Sequence, residues 1–459
     1  LDELEQEQAS KIGAYSIQLP YVERKPQVLS YFENRNVSIN ESALQFAFKA
    51  LTTRMPRNLY PVSVLDAYVN MPKGTNQGAP FFSANEKYRE GSLRLAQEVV
   101  SNGYSSYRKD DPCLLYWRGQ PRGIGESPKQ RTVWGYPHWI TILELTIQMA
   151  LLKELKVLPE FSAWVSGDRV ADTVTSMFGR AKGIALLSVD FSGFDASVPQ
   201  RVVEVAFDVL RYSFHPSAHK LIDLIEERFL NIGLWTPEGI LLDRKGAVPS
   251  GSGETNLIDS ICHMLIAEYV GYFLRNEVSY TVQGDDGVWQ FRRPWQLDEV
   301  SSIVGDFGMV ISSDKGGVNA DAVYFLQNIH LSSYRISGKC VGIRPILRVL
   351  NGMMSYERLS KSWTSYDDTI RWFQQCEAAK YHPKFHELAK FLYDHDKYSR
   401  SMTATEIVHR GGGLGKIARD LKQDSFPYGK APLSGLYEYR IVQELASIRD
   451  EGTATRSVA

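Results

Sequence analysis

A chain of 459 residues, 43% hydrophobic and 23% charged, has the composition of a globular enzyme with room for two or three lobes, which excludes a disordered or fibrous protein. Its formal net charge of -1 supplies no overall attraction to nucleic acid, so any such contact has to come from locally basic walls. Cys113, Cys262, Cys340 and Cys376 are far apart and form no CxxC pair, which speaks against a zinc or disulfide framework and fits a reducing compartment.

The chain opens on Leu1 rather than Met, as a segment of a longer reading frame would, and no signal-peptide pattern follows. The segment to about Arg24 reads as a helix and an extended connection with no legible chemistry. Leu44, Phe46, Phe48 and Leu51 predict a helix over 42–55, and Pro56 and Pro61 then break the chain into a loop that reaches Lys73-Gly74-Thr75-Asn76-Gln77-Gly78-Ala79-Pro80. Residues 108–131 read as an extended basic loop with six Lys or Arg, Arg118 and Arg122 among them, against three acids. At its end Lys129 and Arg131 share one face if extended. Two such cations suit a triphosphate, Arg through forked contacts and Lys as a point charge. Taken alone, the run is as simply a solvated charged surface. The most hydrophobic stretch, 140–158, is interrupted by Glu144, Gln148, Lys153 and Glu154, so it predicts a core helix and not a membrane span.

The run 184–189 reads as a buried strand and ends in Asp190-Phe191-Ser192-Gly193-Phe194-Asp195, which puts one acid at a strand terminus and another past a Gly turn. Helices over 201–214 and 220–230 precede a hairpin about Thr236 to Gly239. Pro249-Ser250-Gly251-Ser252-Gly253-Glu254-Thr255-Asn256 is a flexible loop running into an apolar helix, where glycines let the backbone approach a ligand and the helix start offers free amides. Strand-like runs at 278–282 and 288–291 then flank Gln283-Gly284-Asp285-Asp286-Gly287, with Asp286-Gly287 as the expected hairpin turn. Alone, an Asp-Asp-Gly is a solvated turn; beside a second acid site, two adjacent carboxylates that repel unless a cation sits between them mean more. Residues 308–316, with Lys315, predict a short strand with a polar end.

Beyond Arg344 the pattern is helical, at 366–376 and 384–394 for example, and 380–422 carries nine Lys or Arg against five acids. Residues 411–417 fail as a phosphate loop, because Arg410 stands at the first Gly position and Ile417 replaces Ser or Thr, and they read as a flexible linker. His382 and His386 have no second ligand pair and read as surface helix residues. Residues 451–459 read as a loose tail.

In this order and at these separations, Asp190–Asp195, Ser250–Asn256 and Gly284-Asp285-Asp286 resemble motifs A, B and C of the palm of viral RNA-dependent RNA polymerases. Residues 73–80, 127–135, 308–316 and 324–327 resemble motifs G, F, D and E, the last without the basic residue many relatives carry. Asp259 stands where positive-strand enzymes place Asn. With Val-Pro-Ser-Gly-Ser-Gly and Val-Trp-Gly, this looks most like the picobirnaviruses and partitiviruses, which have double-stranded RNA genomes.

The resemblance implies an α+β right-hand fold with an antiparallel palm sheet backed by helices. The N-terminal segment and fingers would fill 1–181, the palm 182–342 with a fingers insertion at about 211–246, and the thumb and tail 343–459. It implies ribonucleotide transfer to an RNA 3′-hydroxyl with two Mg2+ ions, Mn2+ being an alternative, held by Asp190, Phe191 through its carbonyl, Asp285 and Asp286. Arg118, Arg122, Lys129 and Arg131 would bind substrate, Lys129 and Arg131 at its triphosphate, and Lys315 would donate a proton to pyrophosphate. Ser250 and Gly251 would line the substrate, and Asp195 with Thr255 and Asn256 or Asp259 would meet the ribose. Expected partners are template and product RNA, NTPs and a viral capsid protein, for a monomer off the membrane that works in the virion interior and the host cytoplasm. The alternatives are a reverse transcriptase, which carries an aromatic at the position of Asp195, a silent polymerase-like RNA scaffold, and an unrelated metal phosphotransferase.

Overall fold

The structure, a computed structural model, describes residues 1–13, 17–71, 73–108, 110–120, 125–244, 246–312, 317–356, 359–421 and 432–457, the last six of these by backbone alone. Arg122 and Lys315 lie outside the described residues.

The centre is an antiparallel sheet in the order Val278–Gln283, Asp286–Phe291, Leu186–Val189, Gly317–Asn319. All four residues of Leu186–Val189 are buried, as expected of an inner strand with strands on both edges and helices behind. The helix Thr255–Leu274 packs across Val278–Gln283 and against the helices Glu41–Thr52 and Gln200–Ser213. It is long and apolar enough to cross a membrane, yet 83% of its apolar window is buried inside the protein. The helix expected over 140–158 forms as His138–Leu155, also largely buried.

The region read as an extended basic loop is instead a β-hairpin, Cys113–Gln120 paired with Lys129–Gly135. Alternation explains it: Gln130, Thr132 and Trp134 are buried while Lys129 and Arg131 are exposed, so one face closes on the core and the other meets solvent. Leu234–Thr236 joins the same sheet in parallel, and Gly239–Leu241 follows it as the expected short hairpin.

One hydrophobic core runs from Val28 through Trp134, Phe207 and Leu265 to Met309, so the N-terminal helices, the basic hairpin and the central sheet share an interior. Residues from Val349 to Leu445 form a second core of their own.

Three expectations about the C-terminal part are corrected. Residues 414–417 belong to a helix, Leu414–Asp420, and not to a linker, because Lys416 Nζ lies 2.7 Å from Asp367 Oδ2 and from Asp420 Oδ2. The tail continues the helix Arg440–Ser457 as far as residue 457. His382 is buried, with Nε2 3.2 Å from Glu5 Oε1, whereas His386 is exposed beside Glu444.

The N-terminal segment, silent in the sequence, is a tie. Glu5 caps the helix Ile346–Met354, accepting from the Ile346 amide at 2.5 Å and the Leu347 amide at 3.0 Å. Further on, Gln130 of the basic hairpin holds the Leu19 amide at 3.2 Å and the Ile17 carbonyl at 2.9 Å. The first twenty residues thus span from the C-terminal helices to the hairpin.

Candidate active site

The register decides how the acids meet. Val189 pairs antiparallel with Gly287, so the residue just past the first, Asp190, comes beside those just before the second, in the turn that carries Asp285 and Asp286. That turn is tighter than expected, and it sits two residues earlier. Gln283 pairs with Asp286, which leaves Gly284-Asp285 as its two central residues, with Gly284 at φ +61°. Glycine at the first central position is the demand of a type II′ hairpin. Gly287 is instead a strand residue whose missing side chain admits His263: a Cβ there would stand 2.5 Å from the imidazole Cε1.

Asp190 is fixed from its other side. Its carbonyl accepts from Ser312 N at 2.7 Å, and Ser192 N donates to Val310 O at 2.9 Å, which clamps residues 190–192 to the segment before Ser313. Neither bond uses the Phe191 carbonyl. Gly193, at φ +64°, turns the chain into the short helix Phe194–Ser197 and swings Asp195 back towards the turn. Val248 N donates to the Asp195 carbonyl at 2.6 Å, so the Ser250 loop is tethered to the same helix.

The glycines of that loop serve packing. A Cβ on Gly251 would fall 1.6 Å from the Trp134 carbonyl, so the loop lies directly on the strand Lys129–Gly135, and Ser250 Oγ accepts from Trp134 N at 3.3 Å. Beneath it, Glu144 accepts from Ser252 Oγ and Gly253 N, each at 2.7 Å. Burial pushes the Glu144 carboxyl up to about 7 despite these two donors. Thr255 Oγ1 closes the loop by donating to Pro249 O at 2.7 Å.

Arg118 pairs directly with Arg131 across the hairpin, and Gln120 with Lys129, so Arg118, Lys129 and Arg131 stand on one exposed face. That face addresses the acids. Burial raises the Asp195 carboxyl to about 7, the Asp285 charge adds to the rise, and Arg131 and Lys129 oppose it. Asp259, one turn into the long helix, is buried with Oδ1 lacking a hydrogen-bond partner, and burial, then Asp195 and Asp285, push its pKa far up. Asn256 is half-buried, and its amide lies about 4 Å from where a Gly284 side chain would begin.

These features make a concentrated negative site faced by cations. The donor set is oxygen only, and among the described residues no three Asp, Glu, His or Cys groups close a metal cage. Such a site suits a hard divalent cation whose coordination is completed by water and substrate oxygens, and mutual repulsion among the acids is what that cation would relieve.

A family model described as viral RNA-dependent RNA polymerase matches residues 23–332. The chain belongs to that family. It is an RNA-directed nucleotidyltransferase, of a family that works on RNA and NTPs with divalent metal ions. It is 26% identical to the potential RNA-dependent RNA polymerase of human picobirnavirus, over 98% of this chain and 88% of the relative. It is 28% identical to the RNA-directed RNA polymerase of Cryptosporidium parvum virus 1, over 56% of this chain and 52% of the relative. The crystal structure of a human picobirnavirus polymerase superposes with a TM-score of 0.79 at 26% identity, covering 98% and 88% of the two chains. The fold is therefore the right hand that the motifs implied.

Four residues of the polymerase site were missed in the sequence. Tyr31 lies among Asp195, Asp259, Arg244 and Arg131, and burial followed by the two carboxylates pushes its hydroxyl pKa up. Arg244 is buried with its guanidinium 5.0 Å from the Trp134 ring, and burial lowers its pKa to about 10. Neither carries a sequence signal, since Tyr31 arrives from a distant segment and Arg244 stands a few residues before the Ser250 loop in a run that no motif covers. Glu144 was visible as a break in an apolar helix, and His263 as one polar residue on a buried one.

Proposed function

We propose that the chain copies RNA templates by a two-metal transfer of ribonucleotides, with Asp190 and Asp285 as carboxylate ligands and Asp286 beside them. One observation carries this reading: the pairing of Val189 with Gly287, which sets two acid-bearing segments side by side opposite the Arg118, Lys129 and Arg131 face. When bound, two Mg2+ ions would activate the attacking 3′-oxygen and hold the leaving pyrophosphate, and Mn2+ would substitute. Arg131 and Lys129, with Arg118 and Arg122, neutralise the triphosphate, and Lys315 is the proton donor to the leaving group. The Phe191 carbonyl, free of the clamp to Val310 and Ser312, is a further ligand.

Asp195 accepts a hydrogen bond from the ribose 2′-hydroxyl. Half-buried Asn256 is its direct partner in sugar sensing, while buried Asp259 orients Asn256 or Thr255. Ser250 and Gly251 hold the loop against the cationic strand. Residues 1–181 form the N-terminal segment and fingers, 182–342 the palm with a fingers insertion at about 211–246, and 343–459 the thumb. The enzyme works as a monomer inside a double-stranded RNA virion, against its capsid protein, and in the host cytoplasm.

The test is purified protein with single-stranded RNA, four ribonucleotides and magnesium, scored for full-length complementary product. The reading predicts product that requires the metal. No product with either magnesium or manganese would overturn it.

A further inference from the structure

His263 is fully buried on the helix Thr255–Leu274, and its ring bonds leave that helix altogether. Nδ1 lies 3.0 Å from the Gly284 carbonyl, and Trp289 Nε1 lies 2.9 Å from Nε2. An indole N–H can only donate, so Nε2 is the bare nitrogen, and Nδ1 carries a proton that it donates to Gly284 O. Burial agrees with a neutral ring, lowering its pKa to about 4.

The same helix grips the other polar group of Gly284. Its amide donates to Ser260 Oγ at 2.9 Å, and Ser260 Oγ donates to Asn256 O at 2.7 Å. Ser260 and His263 are three residues apart and share a helix face, so the residue just before Asp285 is held by both its N–H and its C=O. The ring also meets Phe191 edge-on, with centroids 5.2 Å apart, and occupies the space left by Gly287. One imidazole therefore touches the segments that carry Asp190 and Asp285. Any buried imidazole needs hydrogen-bond partners; what is particular here is that one of them is the turn itself.

We propose that His263 is a positioning residue for nucleotidyl transfer: its Nδ1–H fixes the Gly284 carbonyl, and through it the placement of Asp285 relative to Asp190. The proposal rests on the metal-binding role of those two acids. Hard-cation sites tolerate little displacement, so loosening the turn should weaken metal binding before it affects the RNA or the nucleotide.

The chemistry supplies a matched pair of variants. His263→Asn keeps an N–H donor near the Nδ1 position, and His263→Gln keeps a polar atom near Nε2 while losing that donor. His263→Asn is the smaller side chain and leaves Trp289 Nε1 without its acceptor, so it is the harsher change for packing and the milder one for the turn. The measurements are Mn2+ affinity of the RNA-free protein by electron paramagnetic resonance, kcat and the KM for NTP, and melting temperature.

His263→Asn is expected to stay within about threefold of wild type in Mn2+ affinity and kcat, whereas His263→Gln should lose about tenfold in both, with KM for NTP nearly unchanged. Equal losses in the two variants, or losses that follow melting temperature alone, would make His263 an ordinary core residue. If both variants fail to fold, Ser260→Ala decides, because it removes only the second grip on Gly284. It should weaken Mn2+ at least threefold, and unchanged affinity would overturn the proposal. Asp285→Asn is the control: if it left Mn2+ binding untouched, the metal reading of the turn would fall, and this inference with it.

Discussion

The acidic and the basic sides of the site are built differently. On the acidic side, Asp190 and Asp285 sit on backbone held at neighbouring polar groups, by Ser312 and Val310 for one and by Ser260 and His263 for the other. On the basic side, Lys129, Arg131 and Arg118 stand on the exposed face of a hairpin whose other face is buried. The contrast follows from distance dependence. On the proposed roles, metal ligands must be placed within fractions of an ångström, whereas a cation opposite a triphosphate acts over several ångströms and gains from side-chain freedom.

The largest expected effect lies on the acidic side. Asp285→Asn should abolish RNA synthesis while leaving RNA affinity within about twofold, measured by primer extension and filter binding, as expected if the proposed metal ligand is lost and no phosphate contact with it. Activity within tenfold of wild type would take Asp285 out of the metal site and erase the contrast.

Arg131→Ala should be graded rather than absolute. A drop of about 10² to 10³ in kcat/KM for NTP is expected, shared between a higher KM and a lower kcat, as for loss of a charge that acts in both the ground and transition states. Unchanged nucleotide kinetics would return the hairpin to a solvated surface.

Between the two sides stands Asp195, which feels Asp285 from one and Arg131 from the other. A buried hydrogen bond to a charged acceptor contributes roughly 1.5 to 3 kcal/mol, so Asp195→Ala should erode the preference for ribo- over 2′-deoxynucleotides by about one to two powers of ten. The same kcat/KM ratio in Asn256→Ala and Asp259→Ala separates their roles. A loss confined to Asp259→Ala would make Asp259 the direct ribose partner.

The last expected effect is on stability and not on catalysis, and concerns Glu144 beneath the Ser250 loop. An unfolded Glu144 loses its proton near 4.5 and the buried one near 7, so between those values the folded state holds a proton the unfolded state has released. Stability therefore falls as pH rises through this window, by roughly 3 kcal/mol in all. Glu144→Gln removes the titration and should flatten that slope in denaturant melts from about pH 4 to pH 8. An unaltered slope would mean that Glu144 titrates as an exposed acid.

The chemistry of the site was legible because it is local in sequence. Asp190 and Asp195 lie on either side of one Gly turn, Asp285 and Asp286 are neighbours at one hairpin, and Lys129 and Arg131 share one alternating strand, so residue type and spacing were enough to group them. The position of the turn was misread because two glycines flank the Asp pair, and only the packing of His263 against Gly287 shows which one bends the chain. The basic hairpin was read as a loop because its glycines and prolines hide the alternation that tertiary burial of Trp134 makes decisive.

The sequence by itself determined the family, the order of the motifs and the acid and base inventory, since each is written in a contiguous run. Only the tertiary structure decided what came from afar: Glu5 capping a helix more than three hundred residues on, Tyr31 beside Asp195, Gly251 seated on Trp134, and His263 holding Gly284. The physical reason is that such contacts join segments with no periodicity in common, so no pattern along the chain records them until burial and hydrogen bonding bring their atoms together.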